Sequence, residues 1–232
     1  MRIFAISDLH LSTTTAKPMD IFGPVWENYL GTIEESIKDM GVTDDDVVLI
    51  AGDISWAMKL EEAIPDLEYI STLPGKKIII RGNHDYWWKG IGAVRGILPK
   101  GMYAIQNDAI KIGDTIFCGT RGWTVPEHSH KTPDDEKIFN REIQRLELSL
   151  KDAVRQKTDN EEIVAMMHYP PFDILRHDSP FTDLFEKYGV KKVVFGHLHS
   201  YDKKQNLISE KNGVTYYLTS CDLVGNKIVE VL

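Results

Sequence analysis

The sequence has few cysteines, no long apolar run and no repeated or low-complexity segment. Its two cysteines, Cys118 and Cys221, lack the spacing of a zinc or redox motif, so we expect reduced, buried thiols. Too few apolar residues precede Asp8 to form a signal peptide, and no stretch approaches the ~20 apolar residues needed to cross a bilayer. We therefore expect a cytoplasmic protein without a membrane anchor.

Positive charge is also scarce. The chain has 27 Lys and Arg against 35 Asp and Glu, a net charge of −8. This charge disfavours binding to extended nucleic acid, whose backbone is anionic. A small anionic substrate remains acceptable where bound metal ions supply local positive charge. The length and the 42% hydrophobic content fit a single globular domain over residues 1–232.

Five short apolar runs end abruptly in polar residues, and each is predicted to be a buried strand. They cover residues 3–6, 47–51, 78–80, 163–167 and 193–195. Helical spacing of apolar residues predicts helices over residues 26–40, 60–73 and 134–157. Strands that alternate with helices indicate an α/β fold. Residues 206–210, 214–219 and 227–231, separated by Asn-Gly and Gly-Asn turn signals, predict a closing antiparallel meander.

The polar residues at the predicted strand ends are of the types that bind metals. Five of the eight histidines lie there: His10, His84, His168, His197 and His199. A single Asp-x-His or His-x-His pair is most often a surface feature, but five histidines at strand ends indicate a site. Nitrogen and oxygen donors without thiolate suit manganese, iron, zinc, cobalt or nickel.

Five sequence blocks lie at the predicted strand ends: Asp8-Leu9-His10, Gly52-Asp53, Gly82-Asn83-His84-Asp85, His168 and Gly196-His197-Leu198-His199. They occur in the order found in the calcineurin-like metallophosphoesterases, and the chain resembles that family. The resemblance covers residues 8–199. It implies an α/β fold in which two mixed β-sheets pack as a sandwich flanked by helices, with metals at the carboxyl ends of the strands.

The resemblance also implies two divalent or mixed-valence transition metal ions, with manganese, iron and zinc the expected metals. It assigns one ion to Asp8, His10, Asp53 and His199. It assigns the other to Asp53, Asn83, His168 and His197, so that Asp53 bridges the pair. Two divalent ions, less two carboxylates and a bridging hydroxide, leave roughly one positive charge for a phosphate. The hydroxide would attack phosphorus, since metal binding lowers the pKa of water toward about 7.

His84 stands outside the implied ligands. The resemblance makes His84 the group that protonates the departing alkoxide or stabilises the phosphoryl oxygens, with Asp85 orienting its ring. A histidine–carboxylate pair of this kind favours the imidazolium form. The alternative for Asp85 is a cap on the segment that follows it.

Several residues near these blocks have two interpretations. As site residues they would form an apolar wall for the leaving group or contact a phosphate, and as structural residues they would pack under loops or face solvent. They are Trp56, Trp87, Trp88, Trp123 and Arg121. His128 and His130 are expected to be solvated, in a loop that could serve as a lid. His177 and the acidic run at residues 44–46 are also predicted to be solvated.

The implied function is hydrolysis of a phosphomonoester or phosphodiester of a small molecule or nucleotide. Phosphoprotein phosphatases of this family carry Asp-Arg-Gly in the second block and Gly-Asn-His-Glu in the third. Here Ile54 follows Asp53, and Asp85 replaces the glutamate, which disfavours a phosphoprotein substrate. The alternative is a non-catalytic protein-binding scaffold, since the fold occurs in a vesicle-coat subunit that has lost part of its metal site. Here every ligand position is filled.

Overall fold

A computed structural model of the protein describes residues 1–125, 132–158, 160–199 and 206–231. The strands are β1 (Ile3–Ile6), β2 (Val47–Ile50), β3 (Lys76–Ile79), β4 (Met102–Ala104), β5 (Ala109–Ile112), β6 (Thr115–Thr120), β7 (Glu162–Met167), β8 (Lys192–Phe195), β9 (Ile208–Lys211), β10 (Val214–Leu218) and β11 (Val229–Glu230). The α-helices are α1 (Tyr29–Asp39), α2 (Ile64–Thr72), α3 (Ile91–Ile97), α4 (Pro133–Gln156) and α5 (Pro180–Lys187). Short 3-10 helices cover Met19–Phe22, Pro24–Trp26 and Glu61–Ala63.

The strands form two mixed sheets. The first has the order β11-β1-β2-β3-β4, in which β1 to β4 are parallel and β11 is antiparallel to β1. The second has the order β5-β6-β7-β8-β10-β9, with parallel β6, β7, β8 and β10 between antiparallel edge strands. Parallel neighbours need crossover connections. Helices α1 to α3 provide them in the first sheet, and in the second sheet α4 joins β6 to β7 and α5 joins β7 to β8.

The two sheets pack face to face through buried side chains that alternate along each strand. The layer between the sheets contains Ala5, Leu49, Ile78, Phe117, Val164, Met166 and Val194. Alternate residues of the first sheet, such as Phe4 and Val48, contact the apolar side of α1 and α2. Alternate residues of the second, such as Ile116 and Ala165, pack with α4 and α5. This two-residue period gives a helix–sheet–sheet–helix sandwich and confirms the predicted fold class.

The predicted strands are present as β1, β2, β3, β7 and β8, with ends shifted by up to two residues. The predicted helix over residues 134–157 is α4. The helix predicted from residue 26 begins only at Tyr29, because Asn28 is left-handed and separates it from the 3-10 turn before it. The segment predicted at residues 60–73 likewise opens with a 3-10 turn before α2. None of the described helices has the length and apolarity needed to cross a membrane.

The predicted C-terminal meander is wrong in its third strand. β9 and β10 do form an antiparallel hairpin around Asn212-Gly213, whose φ angles of 51° and 77° fit a tight hairpin turn. The chain then leaves the second sheet, and Ser220 forms a bridge with Ser7. β11 consequently pairs with β1 and covers the edge of the first sheet.

Cys118 and Cys221 are buried and unbridged, as predicted. The prediction that the acidic run at residues 44–46 is solvated is correct for two residues and wrong for the third. Asp44 and Asp45 are exposed, but Asp46 is buried. The Asp46 carboxylate accepts hydrogen bonds from the Arg2 amide (2.7 Å) and from the Thr43 amide and hydroxyl (3.0 and 3.1 Å). Burial would raise the pKa of Asp46, but these hydrogen bonds hold it at about 2. The carboxylate therefore ties residue 2 to the turn before β2.

We expect Asp46→Asn to lower the free energy of unfolding by about 1.5–3 kcal/mol at neutral pH, because hydrogen bonds to a charged acceptor are lost. The folded-state pKa lies below the unfolded value of ~3.9, so this stabilisation is complete above about pH 4. It is lost as the pH falls through about 2. Urea unfolding of the variant, with Asp45→Asn as the exposed control, should show a gap at neutral pH that closes in acid. Identical curves at neutral pH would contradict this role.

Candidate metal centre

The predicted ligands lie at one end of the sandwich, where parallel strands of both sheets finish. Polar loops follow β1, β2, β3, β7 and β8 there, and this edge is the usual ligand site of parallel sheets. Two contacts join the sheets at this point. The amide of His197 donates to Asp8 Oδ2 (3.0 Å), and His168 Nδ1 lies 2.9 Å from the carbonyl oxygen of Ala51. The structure thus brings all seven predicted ligands into one cluster.

One group of donor atoms consists of Asp8, His10 and His199, whose donor atoms all lie within 4.8 Å of one another. His199 Nε2 is 3.5 Å from His10 Nε2 and 3.6 Å from Asp8 Oδ1. Asp8 and His10 are buried, whereas His199 is half-buried. A cation held here would be reached from the His199 side.

A second group combines Asp8, Asp53 and His168, again within 4.8 Å. Asn83 Oδ1 extends this group, at 2.7 Å from His168 Nε2 and 2.8 Å from His197 Nδ1. Asp53 Oδ2 lies 3.4 Å from His168 Nε2 and 3.8 Å from His10 Nε2, so it faces both groups. Asp8 also belongs to both by distance, which means that two carboxylates stand between the groups.

The donor set fits cations. Asp53 Oδ2 and His10 Nδ1 are buried and have no hydrogen-bond partner among the described residues. A buried carboxylate oxygen that accepts no hydrogen bond is costly, and a bound cation reduces that cost. The donors are nitrogen and oxygen atoms, which suits divalent transition metals. The residues present therefore fit metal binding.

The charges of these side chains are also consistent with metal binding. Burial disfavours the charged forms of Asp53 and His168, but their mutual attraction prevails. It lowers the pKa of Asp53 below its usual range and raises that of His168 to about 9. Burial lowers the pKa of His10 to about 3 and, together with the charge of His168, that of His197 to about 4. The lowered pKa values favour the neutral forms of His10 and His197, which are the forms that can bind a metal ion.

Four of the predicted ligands have left-handed backbones. The φ angles are 61° at Asp8, 48° at His10, 51° at Asp53 and 72° at His197. Asp, Asn and His adopt this region more readily than other non-glycine residues. The left-handed turn directs the chain sharply out of each strand, so that side chains from neighbouring strands converge.

Gly82 allows the loops after β2 and β3 to meet. A Cβ atom at Gly82 would overlap the carboxylate and the backbone nitrogen of Asp53. Gly90, at the start of α3, has no heavy atom within 4 Å of the corresponding position and no left-handed φ. The two glycines therefore form a matched pair for testing how closely Asp53 must be held.

Gly82→Ala is expected to weaken the binding of Mn²⁺ by about 10–100-fold, because displacing a group that holds a ligand has effects of that size. Gly90→Ala should bind Mn²⁺ as the unaltered protein does. The Mn²⁺ affinities of the two variants are compared by calorimetric titration. Thermal unfolding without metal checks that both variants are folded. Equal Mn²⁺ affinity in the two variants would show that the close approach at Gly82 is not needed.

The expected contact between Asp85 and the His84 ring is corrected by the structure. The buried Asp85 carboxylate instead accepts hydrogen bonds from backbone amides of both ligand-bearing loops and from an indole. The donors are the amides of Ile54, Ser55 and Gly82 and Nε1 of Trp87, at 2.7–3.2 Å. Burial raises the pKa of Asp85 to about 6. Asp85 therefore joins the loops after β2 and β3 and does not cap the segment that follows.

His84 lies at the more open side of the cluster. Its amide donates to Asp53 Oδ1 (2.7 Å), and its ring Nδ1 lies 3.5 Å from the Tyr86 hydroxyl. Burial lowers the pKa of His84, and the nearby positive charge of Lys17 adds to this effect. Both effects oppose the expected imidazolium form.

The tryptophans divide between the core and the site. Trp87 and Trp88 are fully buried and structural. The Trp56 ring stacks on His10 with centroids 4.6 Å apart, and it lies 4.7 Å from the His84 ring. Lys17 Nζ is 3.0 Å from the centre of the same Trp56 ring. Trp56 thus borders the cluster of predicted ligands, and the charged Lys17 lies over its ring.

Arg121 adjoins the cluster through its backbone, because its carbonyl oxygen accepts a hydrogen bond from the His168 amide (3.1 Å). Trp123 packs against Tyr169, and Arg121 lies over Trp123 with Nη2 3.8 Å from Glu142 Oε1. His177 is exposed and pairs with Asp173 at 2.7 Å. His128 and His130 lie outside the described residues.

One contact of the cluster has no counterpart in the predicted set. His199 Nδ1 lies 3.1 Å from Oδ1 of Asp222, a residue in the segment after β10. The same signal that marked the other strand ends is present, because an apolar strand is followed by Ser220, Cys221 and Asp222. Because this region was predicted to be an antiparallel meander, Asp222 was not predicted as a site residue.

A family model described as calcineurin-like phosphoesterase matches residues 1–201 of the chain. No curated protein sequence matches the chain. The matched range contains all the predicted ligands and ends shortly before β9.

Three solved structures are similar to the chain at low sequence identity. TT1561 of Thermus thermophilus has a TM-score of 0.63 and 12% identity, with 99% of this chain and 97% of that chain covered. The calcineurin-like phosphoesterase YfkN from Bacillus subtilis has a TM-score of 0.56 and 14% identity, covering 96% and 82%. AQ665 from Aquifex aeolicus, a protein of unknown function, has a TM-score of 0.50 and 13% identity, covering 99% and 95%. These likenesses concern the fold.

Proposed function

Because the chain belongs to the calcineurin-like phosphoesterase family, we propose that it hydrolyses phosphate esters with two metal ions held by the clustered ligands. The observation that carries the proposal is the convergence of predicted ligands from five strand ends around Asp53 Oδ2, which is buried and accepts no hydrogen bond from the described residues. One ion would be held by Asp8, His10, Asp53 and His199. The other would be held by Asp53, Asn83, His168 and His197. When bound, such ions supply Lewis-acid polarisation and lower the pKa of water for attack on phosphorus.

The residues around the ligands divide the remaining tasks. The Asp85 carboxylate and the close packing at Gly82 hold Asp53 and Asn83 in place. His84, anchored through its amide to Asp53, faces the open side and donates a proton or hydrogen bond to the ester. Substrate binding adds negative charge near the ring, which raises the pKa of His84 toward the range that general acid catalysis needs.

The substrate class follows from the open side of the site. A group entering toward His84 meets the Trp56 ring and the Lys17 ammonium. A positive charge and an aromatic surface suit a small anionic ester that carries a flat group, such as a nucleotide. The acidic surface as a whole disfavours extended nucleic acid. The catalytic unit is proposed to extend over residues 1–232, in the cytoplasm.

The test is the Mn²⁺-dependent release of nitrophenol from nitrophenyl phosphate and from bis-nitrophenyl phosphate by the purified chain. We expect hydrolysis of at least one ester, its loss on chelation and its return when Mn²⁺ is restored. The ratio of the two rates reports monoesterase or diesterase preference. A protein that binds two ions but hydrolyses neither ester nor nucleotides would instead support the non-catalytic scaffold.

A further inference from the structure

Asp222 contacts the cluster of predicted ligands, although it lies beyond residues 1–201, the range that the family model matches. Its Oδ1 lies 3.1 Å from His199 Nδ1, and its side chain is 9% exposed. The opposite nitrogen of the ring, Nε2, is the one that faces Asp8 and His10. The carboxylate thus contacts Nδ1 of His199, whereas Nε2 of the same ring faces the cluster.

The residues before Asp222 are fixed to the same group of ligands. The Cys221 amide donates to the Ser7 carbonyl oxygen (3.0 Å), and Cys221 Sγ donates to the Asp8 carbonyl oxygen (3.1 Å). Ser7 Oγ in turn donates to Asp8 Oδ2 (2.6 Å). Residues 221 and 222 therefore contact two of the three residues in the first donor group, and Asp222 is held rigidly relative to Asp8.

A neutral imidazole has one N–H donor and one acceptor nitrogen. A carboxylate beside Nδ1 keeps the proton on Nδ1 and leaves the lone pair on Nε2, which faces the cluster. Carboxylates in this arrangement orient metal-binding histidines and make them more basic, and removing them weakens metal binding by about 10–100-fold.

We propose that Asp222 is a positioning residue that fixes the orientation and tautomer of His199 and thereby sets the affinity of the ion bound by Asp8, His10 and His199. The proposal rests on the metal pair of the proposed function. It extends the functional part of the chain past the matched region to the segment that follows β10.

The chain contains a matched control. Asp173 and His177 form the same type of carboxylate–imidazole pair, with Nδ1 and Oδ2 2.7 Å apart. That histidine side chain is 67% exposed and contributes to neither donor group. Asp173→Asn and Asp222→Asn therefore remove the same type of interaction, but only Asp222→Asn removes it at a predicted metal ligand.

Mn²⁺ is titrated calorimetrically into the metal-free unaltered protein and both variants. We expect two ions in the unaltered protein and in Asp173→Asn. In Asp222→Asn, one ion should bind about 10–100-fold more weakly while the other keeps its affinity. Asp222→Ala, which removes the acceptor entirely, should show the same selective loss or a larger one.

Nuclear magnetic resonance of the Zn²⁺-loaded, nitrogen-15-labelled protein gives a second readout. The His199 Nδ1–H signal of the unaltered protein should shift or be lost in Asp222→Asn and persist in Asp173→Asn. Thermal unfolding of all metal-free forms should coincide, which separates a positioning role from a general loss of structure.

The outcomes distinguish this inference from the proposed function. Unchanged affinity for both ions in Asp222→Asn, or equal weakening of both together with a less stable metal-free fold, would overturn the role of Asp222. If the unaltered protein bound no ion, the inference and the proposed metal centre would both fall. If it bound two ions, showed the selective loss and hydrolysed no ester, Asp222 would keep its role and the proposed function would fail.

Discussion

Asp53→Ala is expected to abolish both the stable binding of the metal pair and turnover. Asp53 Oδ2 faces His10 and His168, and its Oδ1 holds the backbone of His84. One substitution therefore removes a donor from each group and releases the loop that carries His84. Activity should fall by at least ~10³-fold, because groups that act as a unit lose most of their joint effect when one is removed.

The measurement combines elemental analysis with kinetics. The variant is loaded with Mn²⁺, freed of excess ion and assayed on nitrophenyl phosphate beside Asp45→Ala, which alters an exposed carboxylate. Asp45→Ala should keep two ions and full activity. Two ions per chain and intact turnover in Asp53→Ala would refute the bridging assignment.

His84→Asn is expected to keep both ions and to lose roughly 10²–10⁴ in kcat, the range typical of a positioned proton donor. Its ring is not needed for either donor group, since the contacts of Asp53, His168 and His197 form without it. The variant thus separates chemistry from metal binding more cleanly than any ligand substitution does.

The size of the loss should depend on the leaving group. Nitrophenolate departs with little need for a proton, whereas the alkoxide of an alkyl or nucleoside ester requires one. His84→Asn should therefore be impaired less on nitrophenyl esters than on nucleoside esters. An equal deficit on both would assign His84 to the phosphoryl oxygens, and a loss of metal would make it a ligand.

The strand ends made most of the cluster predictable. A buried parallel strand appears in sequence as an uninterrupted apolar run, and such strands deliver the residues that follow them to one edge. The positions of Asp8, His168 and His197 directly after such runs were therefore enough to predict that these side chains meet. The sandwich fold and family followed from the order of the same blocks and are confirmed.

What the sequence could not predict depends on contacts between distant segments. Asp85 is adjacent to His84, yet its carboxylate binds amides of Ile54 and Ser55, which come from another loop. Adjacent residues at a turn point in different directions, so proximity along the chain was a poor guide. Likewise, β11 matches a third meander strand locally, but the uncovered edge of β1 determines its partner.

The left-handed backbones at Asp8, His10, Asp53 and His197 restrict which amino acids these positions accept. A glutamate or cysteine could serve a metal ion well, but neither is as well suited as Asp, Asn or His to a positive φ. As proposed metal ligands, these residues must satisfy two independent requirements, one from coordination chemistry and one from the peptide backbone. Few of the twenty amino acids satisfy both, so we expect most substitutions at these four positions to be poorly tolerated, even where the new side chain can bind a metal ion.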